Sequence, residues 1–101
     1  MNKSFEKVYK LVEKIPKSKV TTYGEIGRKL DMSPRVVGFA LHANPYGPKV
    51  PCHRVVNKEG RIAPKYAFGG KDEQRKRLEE EQVSFKDNMH VNLEKHFFAL
   101  T

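Results

Sequence analysis

A second cysteine is missing from this chain, and so is any long apolar run. With Cys52 alone, no intrachain disulfide can form, and a cysteine-built zinc site is excluded. No stretch of apolar residues is long enough to cross a bilayer. The first residues, Met1 to Leu11, alternate charged and apolar side chains and do not form the apolar core of a signal peptide. A reduced, intracellular setting is therefore expected, cytoplasmic or, in a eukaryote, nuclear. Internal repeats and low-complexity segments are also lacking. The 101 residues are expected to form one domain, residues 1–101, with one modest core.

Acidic residues are scarce in one half. Residues 1–55 hold 11 Lys/Arg against 4 Asp/Glu, whereas residues 56–101 hold 9 against 8. The excess positive charge lies on the half that carries Cys52. Such a field attracts a polyanion, most commonly nucleic acid, although a merely basic soluble protein has the same balance.

What is present reads mainly as helix. Phe5, Val8, Leu11, Val12 and Ile15 recur at helical spacing, which predicts an amphipathic helix over residues 3–15, ended by Pro16. Thr22 is an N-cap candidate with Glu25 at capping-box spacing, and Ile26 and Leu30 supply the inner face of a second helix. After a short turn at Asp31-Met32, Ser33 caps a third helix and Pro34 takes its first position. Val37, Ala40 and Leu41 give that helix its apolar face, with Phe39 expected in the core, and Asn44-Pro45 stops it.

Two short helices joined by a tight turn match a helix-turn-helix, and an ordinary helical hairpin matches the same pattern. Arg35 favours the first reading. A cation in the first turn gains nothing from the helix dipole and is better placed facing an anion or a base stack.

Pro45, Pro48 and Pro51 stiffen the next loop and fix Cys52 relative to the third helix. Val55-Val56 is a short strand and Asn57-Lys58-Glu59-Gly60 a turn. Gly69-Gly70 precedes a highly charged helix from Lys71 to Gln82, and the weak alternation of Val83/Phe85 and Val91/Leu93 around Asp87-Asn88 predicts a small hairpin in the tail. The expected fold is thus mainly α: a small helical domain with a winged-helix-like helix-turn-helix, and short strands near the Cys52 loop and the C-terminal tail.

Cys52 stands in Val50-Pro51-Cys52-His53-Arg54-Val55-Val56. An isolated cysteine is more often an inert core residue. Here a histidine and an arginine follow it, and neighbouring positive charge favours the thiolate, which is the reactive form.

In chain order, Thr22-Tyr23-Gly24-Glu25, Pro34-Arg35-Val36-Val37-Gly38, Asn44-Pro45, Pro51-Cys52-His53-Arg54-Val55-Val56, Gly69-Gly70 and Leu78 to Val83 form one ordered set. This set resembles the DNA-binding, active-site domain of the O6-alkylguanine-DNA alkyltransferases (methylated-DNA–protein-cysteine methyltransferases), over about residues 4–83. The resemblance implies a single-turnover DNA repair enzyme. It flips O6-alkylguanine out of double-stranded DNA from the minor groove and transfers the alkyl group irreversibly to Cys52, as a monomer, with no cofactor, no metal and no membrane.

Roles follow by the same resemblance. Cys52 is the acceptor, and His53 takes its proton through a water. Glu81 orients His53, and is preferred to Glu79 and Glu80 because family members usually read Glu-Gly-Val where this chain reads Glu81-Gln82-Val83. Tyr23 helps rotate the nucleotide and stabilises the departing guanine. Arg35 fills the gap in the base stack, with Ser33 and Val36 beside it on the DNA-binding helix. Asn44 forms the hinge between that helix and the active-site loop, and Arg54 is a structural and electrostatic neighbour.

Larger family members carry a further N-terminal domain. The length and tail of this chain are more similar to the alkyltransferase-like proteins, which usually have tryptophan or alanine at the cysteine position, bind O6-alkylguanine without transfer and recruit excision-repair proteins. Lesion sensing is therefore the alternative expectation. A helix-turn-helix regulator and a thiol hydrolase are weaker ones. Where the transferases often read Tyr-Ser or Tyr-Arg before the paired glycines, this chain has Ala63-Pro64-Lys65 and then Tyr66-Ala67-Phe68, so no side-chain role transfers there. His42, His90 and His96 are expected at the surface or in packing.

Overall fold

A computed structural model describes residues 3–64 and 66–100, so Lys65 of the Ala63-Pro64-Lys65 segment lies outside the described residues. Five helices, two short strands and two 3₁₀ turns follow one another among the described residues: α1 (Lys3–Val12), β1 (Thr21–Thr22), α2 (Tyr23–Leu30), α3 (Pro34–His42), turns at Gly47–Lys49 and Cys52–Arg54, β2 (Val55–Val56), α4 (Gly70–Glu80) and α5 (Leu93–His96). The domain is mainly helical, as its sequence pattern predicts.

The helix-turn-helix is built by local chemistry. Thr22 is extended and its hydroxyl accepts from the Glu25 N–H at 3.0 Å, while Ser33 caps α3 through the Val36 N–H at 3.3 Å. The return half of the capping box is not made. The Glu25 carboxylate instead accepts from Arg28 and, at 2.9 Å, from the Leu100 N–H, so it holds the end of the chain against α2. A Cβ on Gly27 would collide with the Met32 carbonyl oxygen, and glycine there lets the turn close on α2. That turn passes through Asp31 in the left-handed region, at φ 56°.

Strands β1 and β2 pair in parallel, Thr21 with Val55 and Thr22 with Val56. Because successive strand side chains face opposite ways, Val55 packs with α1, α2 and α3 while Val56 packs with Ile62, Leu78, Val83 and Val91. The strand pair thus joins the helix-turn-helix core to a second, smaller core under α4 and the tail. The 3₁₀ turn that carries Cys52 leads directly into this junction.

Several boundaries differ from the periodicity reading. Helix α1 ends at Val12, and Lys14 and Ile15 donate three residues back to Leu11 and Val12 as the last turn tightens. Helix α4 runs from Gly70 to Glu80 rather than from Lys71 to Gln82. Gly69 and Gly70 open it at φ 127° and 79°, conformations that favour glycine. The tail keeps one antiparallel bridge, Phe85 with Val91, and then forms α5, a helix too short to show periodicity in the sequence. Phe39 corrects another expectation: it is 56% exposed. It sits one turn beyond Arg35, whose guanidinium carbon is 5.7 Å from the Phe39 ring centre, while Val37, Ala40 and Leu41 fill the buried face.

The end of α4 carries a stability prediction. The Val83 N–H bonds the Leu78 carbonyl and the Gln82 N–H bonds the Glu79 carbonyl, each at 3.0 Å, a Schellman ending with Gln82 left-handed at φ 71°. A glutamine at that position costs conformational energy that glycine does not. Gln82→Gly is expected to stabilise the domain by about 0.5–1 kcal/mol, read as a thermal midpoint a few degrees higher. An unchanged or lower midpoint would contradict it.

Candidate active site

Pro51 centres a tight turn in which the Cys52 N–H bonds the Val50 carbonyl at 2.7 Å, with Pro51 at φ −77° and ψ 69°, an inverse γ-turn. This turn aims Cys52 back toward α3. Asn44, just past the end of α3, holds the loop in place. Its Nδ2 donates to the Gly47 and Val50 carbonyls, each at 3.2 Å, and lies 3.8 Å from the Cys52 sulfur, while its Oδ1 accepts from the Tyr46 N–H at 2.9 Å. Asn44 is buried, and its contacts to the Val50 carbonyl and the Cys52 sulfur are made out of water.

The sulfur is the meeting point of two cavities of about 340 Å³ each. The front cavity is mainly apolar and is lined by Tyr23, Gly38, Leu41, Ala63 and Ala67, among others. The rear cavity is more polar and is lined by Lys17, His53, Arg77, Glu80 and Glu81, among others. Cys52 and Tyr66 line both.

Behind the sulfur lies a carboxylate with two partners. His53 Nε2 is 3.0 Å from Glu81 Oε2, and Arg54 spans the same carboxylate through Nε at 2.9 Å and Nη2 at 2.7 Å. Arg54 also donates to the Ile15 carbonyl at 2.7 Å, which ties the site to the end of α1. Glu79 and Glu80 do not bond His53: both are exposed, Glu79 pairs with Arg75, and Glu80 lines the rear cavity.

Ionisation follows from burial. Burial pushes the Cys52 thiol up, and the Asn44 contact and the Arg77 charge only partly oppose this. The sequence-based expectation that nearby positive charge would favour the free thiolate is corrected accordingly, because desolvation outweighs it. Burial also pushes His53 down against the opposing pull of Glu81, so the imidazole is neutral at pH 7 and able to accept a proton. For Glu81, burial would raise the carboxyl, but the hydrogen bonds from Arg54 and His53 outweigh it and hold it low. Tyr23, the first residue of α2, is raised by burial and by the Cys52 charge and remains a protonated donor.

The remaining sequence candidates lie outside this cluster. Ser33, the N-cap of α3, and Arg35 in its first turn are exposed, Val36 is half-buried, and none of the three lines either cavity. His42 is exposed and lines the front cavity, and His90 pairs with Asp87. His96 is buried and bonds the Ser18 carbonyl and Ser84.

Sequence reasoning missed three contributors. Gln74 is fully buried; its Nε2 donates to the His53 and Val55 carbonyls, each at 3.1 Å, and its Oε1 accepts from the Ala63 N–H at 2.7 Å. It pins both sides of the site, and its place one turn before buried Leu78 on α4 was the available signal. Tyr66 and Arg77 are the others: Tyr66 stands in the segment before the paired glycines, where no side-chain role transfers from the resemblance, and Arg77 stands in no recognisable motif. Among the described residues, no group of three or more His, Cys, Asp or Glu could hold a metal ion, and no helix is long and apolar enough to cross a membrane.

Residues 3–83 match the family model described as 6-O-methylguanine DNA methyltransferase, DNA binding domain. A methylated-DNA–protein-cysteine methyltransferase of Methanocaldococcus jannaschii is 44% identical over 86 residues, covering 82% of this chain and 50% of that protein. The chain thus spans half of that relative's length. Alkyltransferase-like protein 1 of Schizosaccharomyces pombe is 44% identical over 86 residues, covering 82% of this chain and 79% of that protein. The solved structure of S. pombe Atl1 in complex with damaged DNA containing O6-carboxymethylguanine superposes with a TM-score of 0.82 at 36% identity, covering 97% of this chain and 96% of that one.

Proposed function

This chain belongs to the 6-O-methylguanine DNA methyltransferase family, and from that premise we propose that it repairs alkylated DNA by moving the O6-alkyl group of a flipped guanine onto Cys52. The observation that carries this reading is the position of the sulfur. It faces an apolar cavity large enough for a base on one side, and on the other it shares a more polar cavity with a neutral imidazole backed by a carboxylate.

Helix α3 enters the minor groove, whose degenerate code suits a search for damage rather than for sequence. Arg35 fills the space vacated in the stack, and Ser33 and Val36 contact the backbone beside it. Tyr23 guides the rotated nucleotide into the front cavity. The Cys52 proton passes through a water to His53, and Glu81 stabilises the imidazolium that forms. The sulfur attacks the alkyl carbon. A C–S bond forms as the C–O6 bond breaks, and its electron pair stays on the guanine, where the Tyr23 hydroxyl donates to the developing charge. The thioether has no ready leaving group, so each molecule acts once. Asn44 keeps the sulfur in register with α3, and Arg54 fixes Glu81. The raised thiol fits this scheme, since the thiolate is made when the base is in place.

Incubation with duplex DNA containing O6-methylguanine, followed by mass analysis of the Cys52 peptide, tests it. The expected result is one added methyl group per chain. An unmodified peptide from a protein that binds the same duplex would reject transfer and favour lesion sensing. That second reading is supported by the near-complete overlap with S. pombe Atl1 and by the burial that raises the thiol.

Groove binding makes its own prediction. Arg35→Ala is expected to weaken binding to a lesion-containing duplex roughly tenfold to a hundredfold, the size of a few kcal/mol of unstacking left uncompensated. Wild-type affinity should fall steeply with added salt, as lysine and arginine contacts to phosphate require. Fluorescence anisotropy at several salt concentrations measures both. Unchanged affinity in Arg35→Ala would remove the stack-filling role.

A further inference from the structure

We propose that Tyr66, held by Arg77 of α4, donates its phenolic hydrogen to the Cys52 sulfur and stabilises the thiolate, with Arg77 acting as a positioning residue behind it. The inference concerns the sulfur on which the proposed transfer depends, and it stands or falls without DNA.

Geometry is the first argument. Cys52 and Tyr66 are the two residues that line both the front cavity and the rear one. The Tyr66 ring is buried, and Phe68 packs edge-on against it at 5.8 Å between ring centres. Arg77 Nη1 donates to the Tyr66 oxygen at 2.8 Å, and the Arg77 guanidinium carbon is 5.6 Å from the ring centre. Arg77 is itself fixed by Glu73, whose carboxylate accepts from Arg77 Nε at 2.9 Å.

The hydrogen-bond roles follow. A phenol is one donor and an acceptor. Arg77 can only donate, so it uses the acceptor side and leaves the O–H to find a partner elsewhere. Within the two cavities that Tyr66 lines, that partner is Cys52. A donor already bound by a cation is also a stronger donor.

The charged and titratable groups around the sulfur leave the task open. Tyr9 from α1 and Tyr23 from α2 are neutral phenols whose pKa values are raised first by burial and further by the Cys52 charge. Asn44 supplies one long contact at 3.8 Å. His53 is neutral and committed to Glu81, and Glu80 and Glu81 in the rear cavity bring no positive charge. Exposed His42 in the front cavity, exposed Lys17 in the rear one and the Arg77–Tyr66 pair remain, and of these only Tyr66 lines both cavities. A hydrogen bond from Tyr66 and the Arg77 charge both work against the burial that raises the thiol. Burial and the Cys52 charge push Tyr66 up to about 12, so the phenol stays a donor wherever the thiol ionises.

The test is the ionisation of Cys52 in the full chain without DNA, followed by thiolate absorbance near 240 nm and by the pH dependence of iodoacetamide alkylation. Tyr66→Phe is expected to move the thiol titration upward, with about a tenfold loss of alkylation rate below the titration midpoint. Arg77→Met is expected to shift it the same way, and its effect should largely vanish in the Tyr66→Phe background if Arg77 works through Tyr66. A Tyr66→Phe protein that folds and titrates as the wild type overturns the proposal. So do fully additive effects of the two substitutions. Should Tyr66→Phe fail to fold, by far-ultraviolet circular dichroism, the folded Arg77→Met protein decides alone: a shifted titration supports the pair and an unshifted one refutes it. A chain that senses lesions without transfer would give the same titration, so this result is independent of the transfer assay.

Discussion

Cys52→Ala is expected to abolish the transfer of an alkyl group from DNA to protein and to leave lesion binding within about threefold of the wild type, a change below 1 kcal/mol. The two effects separate because Cys52 carries the one thiol of the chain, whereas binding draws on other groups. Arg35 is exposed in the first turn of α3 and lines neither cavity, and the cavity wall is apolar carbon from Tyr23, Leu41 and Ala63. Alanine keeps the backbone of the inverse γ-turn and removes one buried atom. Intact-protein mass after exposure to O6-methylguanine duplex reads the first effect, and anisotropy on the same duplex reads the second. A methyl group still carried by the variant would place the acceptor elsewhere. Binding lost together with transfer would mean that the sulfur builds the cavity rather than reacts in it.

Removing Glu81 should be the most damaging single change to the site. Its carboxylate accepts from His53 and twice from Arg54, and all three side chains are only 12–13% exposed. In Glu81→Ala, Arg54 keeps its charge and its bond to the Ile15 carbonyl but loses its counter-ion. Breaking one partner of such a pair costs about 3 kcal/mol, so the thermal midpoint is expected to fall by about 10–20 °C. Transfer should fall by about a hundredfold at a temperature where the variant is folded, because the imidazole loses its orientation. Glu80→Ala is the control: Glu80 is exposed, and the stability change is expected within about 0.5 kcal/mol. Equal melting of Glu81→Ala and Glu80→Ala would remove Glu81 from the architecture proposed here.

The same pair of residues sets the acid response. Glu81 is held below its ordinary 4.5, so its contribution is present above that value and is lost as pH falls through the folded pKa. His53 is held below its ordinary 6.5, so the unfolded chain takes up its proton first and stability begins to decline as pH falls below that value. Both act in one direction, towards destabilisation in acid.

How much of this could be read from the chain differs by element. The caps at Thr22 and Ser33, the stop at Asn44 and the helix-turn-helix between them depend on residues within four positions of each other, so their signals are local and legible. The lone thiol and the histidine after it are equally visible. Helix α5 was not, because four residues carry no periodicity, and the helix is fixed by His96 bonding to Ser18 and Ser84. Phe39 was misplaced because spacing tells which residues share a face, and the buried face was already filled by Val37, Ala40 and Leu41.

The sequence by itself determined helices α1 to α4, the tight turn between α2 and α3, and the placement of Cys52 behind a run of prolines, because each rests on short-range backbone preferences. Only the tertiary structure decided that Arg54 shares the Glu81 carboxylate with His53, that the thiol is raised rather than lowered, and that Tyr66 and Arg77 line the rear cavity with Cys52. Those outcomes depend on burial and on side chains brought together from distant parts of the chain, and desolvation is a property of the assembled surroundings that no local run of residues encodes.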